Sequence, residues 1–507
     1  MQSGMDRRSA LRAVALSVSG AVAGAVGGSL AGVTPALAAA PAADRRSLSA
    51  PRAADWKALA RGLEGRLIRP GEAAYDSART LFNPDFDNVR PDAVAYAGNA
   101  EDVAECLAFA RRHGVPVVSR CGGHAYGGWS AGPGLVVDVS AMNGVSYAEG
   151  RARVGAGARL IDVYDRLIAK GVSIPAGTCP TVGVAGLTLG GGIGVVSRKY
   201  GLTCDALKSV RIVTADGRVR VCDARREPDL FWASRGGGGG NFGVAVSFEF
   251  RAHPTRDVTV FFLSWKMGMA AKAVRAWQGW ASGAPDELWS SLQLAQEPTA
   301  NLRLVGVYLG GRAECLRLLQ GLTDRVGDPS TESVRVVSYR EAMMIMGGVS
   351  GRSIAECHRP GSLPGQNPKG KMKRDRFSAK SHLAYSPLSA DGARALAAQV
   401  TAPGNHAVLL DALRGAVGRV RPDATAFPHR AALFSVQYVA HGTGRREWLR
   451  KAHAAMRPHF GDHAYVNYAD PELRDWRRAY YGANAARLAR VKAAYDPRGL
   501  FRLPQGV

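Results

Sequence analysis

The sequence predicts an α+β protein made of a glycine-loop domain in two pieces and an inserted domain whose antiparallel sheet is covered by helices. Three observations predict this. Long glycine loops are confined to the chain before about residue 255. From Val258 the texture changes to long strands alternating with amphipathic helices. From Tyr465 short, aromatic-rich, loop-borne motifs resume. The boundaries read as 39–255 for the first piece, 256–459 for the insertion and 460–507 for the return. A chain of 507 residues has the length for two domains or one large composite.

The elements follow in order. Trp56 to Asn83 reads as short helix and turn. Ala93 to Ala97 is an apolar strand, and Ala100 to His113 a helix. Val115 to Val118 is a short strand delivering Arg120; Gly134 to Val139 and Arg151 to Val154 are strands, and Leu160 to Lys170 is a helix. Ser209 to Thr214 and Arg218 to Cys222 flank the turn Ala215-Asp216-Gly217, a hairpin signal. Glu227 to Ser234 reads as helix, and Val244 to Phe250 alternates as a strand. In the insertion, strands Val258 to Trp265 and Leu302 to Leu309 alternate with helices Ala270 to Trp280 and Ala313 to Leu322. Gly361 to Lys371 is a Gly/Pro/Lys-rich loop.

Hydrophobic content of 46% with 21% charged residues marks a globular chain. A formal charge of +24 admits nucleic acid, anionic envelope polymers or an acidic substrate. The arginines are scattered, and no long Lys/Arg run is interleaved with aromatics, which argues against nucleic acid. The seven cysteines are far apart without a C-x-x-C pair, which argues against zinc. An odd count in an exported protein leaves at least one unpaired. Arg7-Arg8 ahead of the weakly apolar stretch Ala13 to Val33, closed by Ala36-Leu37-Ala38, reads as a cleaved twin-arginine-like signal over 1–38. The mature chain is then expected outside the cytoplasm, extracellular or in the envelope, with no membrane span.

Three tempting motifs fail on context. Gly238 to Gly243 satisfies G-x-G-x-x-G, but a strand follows where a dinucleotide fingerprint needs a helix. Gly128 to Gly132 satisfies G-x-S-x-G, but Pro133-Gly134 and a β-type run follow where a nucleophile elbow needs a helix. His459 and His463 have metal-ligand spacing, but Gly461 lies between them and no glutamate accompanies them.

The glycine loops carry the chemistry. Arg120 to Gly128 embeds His124 in near-bare backbone, and Gly177 to Gly183 embeds Cys179 in another such loop. Gly183 to Gly194 and the five glycines Gly236 to Gly240 extend the pattern. Glycine is disfavoured in regular structure by about 0.5–1 kcal/mol against alanine. Close approach of amide groups to a ligand's pyrophosphate is the simple reason to keep so many.

These stretches, with Ser197 to Leu202 and Arg235 to Gly243, resemble the FAD-linked oxidases of the berberine-bridge-enzyme-like family. That family carries the FAD-binding domain of the vanillyl-alcohol-oxidase type. Ala426 to Arg430, Gln437-Tyr438, Tyr465 to Tyr468, Tyr480 to Asn484 and Tyr495 to Pro497 extend the resemblance from about residue 85 to the end. It implies a bicovalent FAD, with His124 bonded to the flavin 8α-methyl and Cys179 to ring carbon C6. Arg120, Gly122, Gly123, Tyr126, Thr178, Val182, Gly183, Gly186, Gly190, Gly194, Asn241, Gly243, Val246, Asn467 and Asn484 complete the implied cofactor set. Imidazole nitrogen and thiolate are the nucleophiles that attack an electron-poor ring.

The resemblance further implies Tyr468 as general base. A phenol titrates near 10, so its pKa must be lowered, with nearby arginines one source, or its proton must move in concert. Gln437 stands where some members carry a glutamate, so a glutamate-dependent ring closure is not expected. Val182 matches a gatekeeper position and resembles the oxygen-reactive members. Tyr385 is a substrate-site candidate, although His382 replaces the usual acidic residue near it. The implied protein is an exported oxidase that passes hydride from a carbinol carbon to flavin and electrons to dioxygen. Its substrate would be a sugar, an oligosaccharide, or a glycosylated or polyketide metabolite, with no metal. A dehydrogenase using another acceptor and a non-catalytic basic envelope-binding protein are the alternatives.

Overall fold

The computed structural model describes residues 49–296 and 300–507. The signal read over 1–38 lies outside the described residues. Within them three larger sheets carry the architecture, which is mixed α+β with helices packed on antiparallel strands.

The first sheet has strands β1 (Arg66–Ile68), β2 (Ala93–Tyr96), β3 (Val117–Arg120) and β4 (Leu135–Asp138), in the order β1-β2-β4-β3. β2, β4 and β3 run parallel. A helix over Ala100–His113 makes the crossover. The Asn99 side chain caps its N-terminus, and Gly114 closes it in the left-handed region at φ 65°. Its Val103, Leu107 and Phe109 are buried, Phe109 against Trp56 with ring centroids 4.6 Å apart. The buried Asp102 carboxylate accepts from the amides of Glu64, Gly65 and Gly98, tying the helix to the chain ends around it.

The second sheet is antiparallel, with β5 (Val145–Ala148), β6 (Arg151–Gly155), β7 (Leu207–Val213), β8 (Val219–Cys222) and β9 (Val244–Arg251) in the order β5-β6-β9-β7-β8. The expected hairpin is β7–β8, joined through Ala215 to Gly217. β9 begins directly after Gly243, where a dinucleotide fingerprint would need a helix.

The third sheet has seven antiparallel strands: β10 (Val258–Trp265), β11 (Leu288–Ala295), β12 (Asn301–Tyr308), β13 (Thr331–Val337), β14 (Phe377–Ala384), β15 (His406–Ala412) and β16 (Phe434–His441). Their order is β13-β10-β12-β11-β15-β16-β14. Helices over Ala270–Gly283, Arg312–Val326, Ala390–Thr401 and Arg445–Phe460 cover one face. On that face Trp277 donates to Ser290 Oγ at 3.0 Å, and Gln278 exchanges two hydrogen bonds with the backbone of Leu388. The period-two alternation of the strands puts Ser291, next to Ser290, on the opposite face. That face lines a large cavity.

The chain beyond residue 460 returns to the first part. Lys492 Nζ donates to the carbonyls of Asn241 and Phe501, each at 2.6 Å, and Phe501 bridges to Val117 of β3. Asp205 and Arg430 form a fully buried bidentate pair, both bonds 2.8 Å, between the glycine-loop part and the insertion. Within the expected loop Gly361 to Lys371, Gln366–Asn367 pairs in parallel with Arg359–Pro360 just ahead of it.

Candidate active site

A cavity of about 1910 Å³ lies between the glycine loops and the open face of the seven-stranded sheet. Pockets for drug-sized ligands hold about 300–1,000 Å³. The volume therefore suits a large cofactor and a substrate together.

The two nucleophile loops form one wall because their backbones touch. A Cβ on Gly122 would overlap the amide of Gly183, and one on Gly183 would overlap Cys121 Sγ and stand 2.5 Å from the Gly122 nitrogen. Only bare backbone on both sides permits this approach. His124 is thereby held against the second loop, with Nε2 2.9 Å from Thr181 Oγ1 and its ring stacked on Phe82 at 4.1 Å. Burial, reinforced by Arg159 and Arg359, pushes its pKa down to about 3, so the ring is neutral and its nitrogen lone pair available. Cys179, two residues before Thr181, is exposed to the cavity, yet the dense protein around it pushes the thiol pKa up. The thiolate assumed from the sequence is thus disfavoured before a ligand binds. All seven cysteines are free.

The reading of the other glycines needs correcting. Gly194 lines the cavity, but a Cβ there would overlap the Ala176 carbonyl; at Gly190 it would overlap Asn467 Oδ1, and Gly190 lies off the wall. These glycines serve the protein's own close packing. Gly186 and Gly239 are the ones that leave open space: nothing lies within 4 Å of a Cβ at Gly186, and the nearest atom at Gly239 is 3.7 Å away. Gly123, Thr178, Val182, Asn241 and Gly243 also line the cavity, whereas Val246 and Asn484 do not. Val246 sits in β9, its carbonyl accepting from Ala156. Asn484 donates to the carbonyls of Pro422 and Thr425, a tie between tail and insertion.

Across the cavity stand the tyrosines. Tyr126 and Tyr468 stack with centroids 5.3 Å apart and planes 17° from parallel. Gln437 Nε2 donates to the Tyr126 hydroxyl at 2.7 Å. Asn467 donates to Leu187 O and to the Tyr465 hydroxyl, positioning the short turn that carries Tyr468. Tyr385 is not on the wall: its hydroxyl bonds His429 Nδ1 at 2.9 Å and its ring packs on His463. Burial, then the charge of Asp411 and the neighbouring tyrosines, pushes the Tyr468 phenol well above its ordinary value. Among the described residues, no arginine is one of the main groups acting on it, contrary to one expectation from the sequence.

Asp411 is the residue the sequence reading missed. It lines the cavity from β15, and burial pushes its pKa up to about 6. Its signal was a lone acid in the apolar run Val408-Leu409-Leu410-Asp411-Ala412.

His124 and Cys179 on a glycine wall, facing a tyrosine pair with a perturbed carboxylate nearby, form a site suited to a cofactor-dependent oxidoreductase. A family model described as an FAD binding domain matches residues 91–223, and one described as berberine and berberine like matches 464–507. The FAD-linked oxidoreductase YgaK of Bacillus subtilis is 34% identical, over 88% of this chain and 97% of its own length. A chitooligosaccharide oxidase of Gibberella zeae is 29% identical over 82% of this chain and 87% of its own. The solved structure of Physcomitrella patens BBE-like 1 superposes with a TM-score of 0.82 at 29% identity, covering 89% of this chain and 98% of that one. The chain belongs to the berberine-bridge-enzyme-like family of FAD-linked oxidoreductases.

The residues present fit FAD. Gly186 and Gly239 leave room for close approach. Arg120 lines the cavity with its Nε bonded to Asp138 and its Nη2 to Ala78 O, while its buried Nη1 has no hydrogen-bond partner among the described residues. An orphaned guanidinium nitrogen of this kind is costly unless a ligand acceptor meets it.

Proposed function

We propose that the protein is an exported oxidase of a sugar or related alcohol, with FAD held through both His124 and Cys179. FAD, when bound, supplies the hydride acceptor and, with dioxygen, the route to hydrogen peroxide. His124 would hold the flavin through Nδ1, since its ring is neutral and Nε2 is engaged by Thr181. Cys179 would hold it through Sγ and would have to give up its proton to do so, since the free thiol is held protonated.

The observation that carries the reading is the Tyr126–Tyr468 stack standing beside Asp411 in the cavity that His124 and Cys179 line. Tyr468 is protonated at neutral pH, so it does not wait as a phenolate. It accepts the substrate hydroxyl proton in concert with loss of its own. Asp411, ionised above about pH 6, is the carboxylate whose charge Tyr468 feels and the acceptor for that proton. Gln437 fixes the Tyr126 hydroxyl, and Tyr126 fixes the plane of Tyr468. The named activity of the chitooligosaccharide oxidase relative supports a carbohydrate substrate.

The test is a panel of sugars, oligosaccharides and aryl or glycosylated alcohols incubated under air with a peroxide readout. Stoichiometric peroxide with oxidised product supports the oxidase. Rapid reduction of an artificial dye without peroxide would indicate a dehydrogenase, and no turnover with a colourless acid precipitate would indicate a non-catalytic binding protein.

A further inference from the structure

The sheet wall of the cavity carries a charge that proton transfer at Tyr468 does not use. Arg303 on β12 stands opposite Gln293 on β11, Gln293 opposite Leu409 on β15, and Leu409 opposite Gln437 on β16. These four form one transverse row on the face that lines the cavity. Three strand steps of about 4.8 Å put Arg303 roughly 14 Å from Gln437. Gln437 holds Tyr126, which stacks on Tyr468. The separation is that of a short oligosaccharide, too long for one sugar ring.

Arg303 is built in place. Its guanidinium lies 4.8 Å from the centroid of Phe262, another cavity residue, and is half-buried. Burial alone lowers its pKa. Among the described residues neither it nor Arg335, Arg352 and Lys373, which line the same mouth, pairs with a carboxylate, whereas Lys371 is taken by Glu356. A partly desolvated cation without a counter-charge is costly in the free protein. An anionic ligand removes that cost. The flat guanidinium fork, already oriented by Phe262, matches a carboxylate bidentately.

We infer that Arg303 forms a subsite for the carboxylate of an acidic oligosaccharide, whose uronate unit binds there while the sugar being oxidised stands at Tyr468. This rests on the oxidase reading for the chemistry but not for the binding. It also gives the chain's positive charge, +24 overall, a use that requires no nucleic acid.

The experiment uses the flavin-loaded protein and three sets of equal-length oligosaccharides: neutral, uronate-bearing and sulfate-bearing. A charge-assisted hydrogen bond contributes about 1.5–3 kcal/mol, so the uronate set should show a kcat/KM about ten- to a hundredfold above the neutral set, declining with salt. In Arg303→Ala that ratio should collapse toward one through KM, with flavin still attached, and Arg303→Lys should restore part of it. Equal use of neutral and acidic chains overturns the inference, as does loss of flavin from Arg303→Ala, which would assign the residue to the cofactor. Preference for sulfate over uronate overturns the carboxylate assignment. If nothing is oxidised, calorimetric binding to Tyr468→Phe decides: tighter uronate binding that needs Arg303 upholds the subsite while the oxidase reading fails, and no such binding ends both.

Discussion

His124 Nε2 lies 2.9 Å from Thr181 Oγ1, two residues along the chain from Cys179. That contact brings two nucleophiles, far apart in sequence, to one wall of one cavity. It depends on the glycine-to-glycine crossing of Gly122 and Gly183 beneath it.

The crossing predicts a steric experiment. Gly183→Ala places a methyl group into Cys121 Sγ and the Gly122 amide. Overpacking of this kind costs about 1–3 kcal/mol and separates the loops. Flavin incorporation should fall sharply. Gly279→Ala, at an exposed position of the Ala270–Gly283 helix with nothing within 4 Å, should instead stabilise by about 0.5–1 kcal/mol. Full flavin content in Gly183→Ala would refute the crossing.

Tyr468→Phe keeps the ring stacked on Tyr126 and removes only the hydroxyl. Positioned acid–base groups contribute about 10²–10⁴-fold, and kcat should fall by that order while flavin is retained. A change of a few-fold in stopped-flow flavin reduction would remove Tyr468 from the proton path.

Asp411 links stability and activity to pH with opposite signs. Its folded pKa is raised from 3.8 to about 6, so the folded protein binds the extra proton and stability falls as pH rises through that window. Asp411→Asn removes the penalty and should raise Tm more at pH 8 than at pH 4. In the wild type kcat/KM should climb through an apparent pKa near 6, and the climb should vanish in Asp411→Asn. A pH profile left unchanged by the substitution would show that Asp411 is not the acceptor.

The Asp205–Arg430 pair joins the glycine-loop part to the insertion, and both side chains are buried. Asp205→Ala leaves a guanidinium uncompensated, at a cost of about 3–5 kcal/mol in denaturant unfolding. The double change Asp205→Leu with Arg430→Met should recover much of it. If the single change is neutral, the pair is not what couples the two parts.

The legible part of the sequence was local. Alternation located β9, the change of texture at Val258 located β10, and the absence of a helix after Gly243 excluded a dinucleotide fingerprint. The motifs around His124, Cys179 and Tyr468 named residues that share one cavity. What was hidden depends on strand pairing. Asp411 and Arg303 become cavity residues only through the register of β11, β12, β15 and β16. The glycines misled for a related reason. A bare backbone reads the same whether it faces open space, as at Gly186, or another loop, as at Gly183 and Gly190. Tyr385 is a tyrosine of the right type on the wrong side of the wall, committed to His429.

Under the proposed function, the His124 and Cys179 loops together hold one flavin. Acid precipitation of the mature protein and of His124→Ala, Cys179→Ala and the double variant tests it directly. The wild type and each single variant should give a yellow pellet, and the double variant alone a colourless one. A colourless pellet from the wild type, or loss of colour in either single variant, would contradict it.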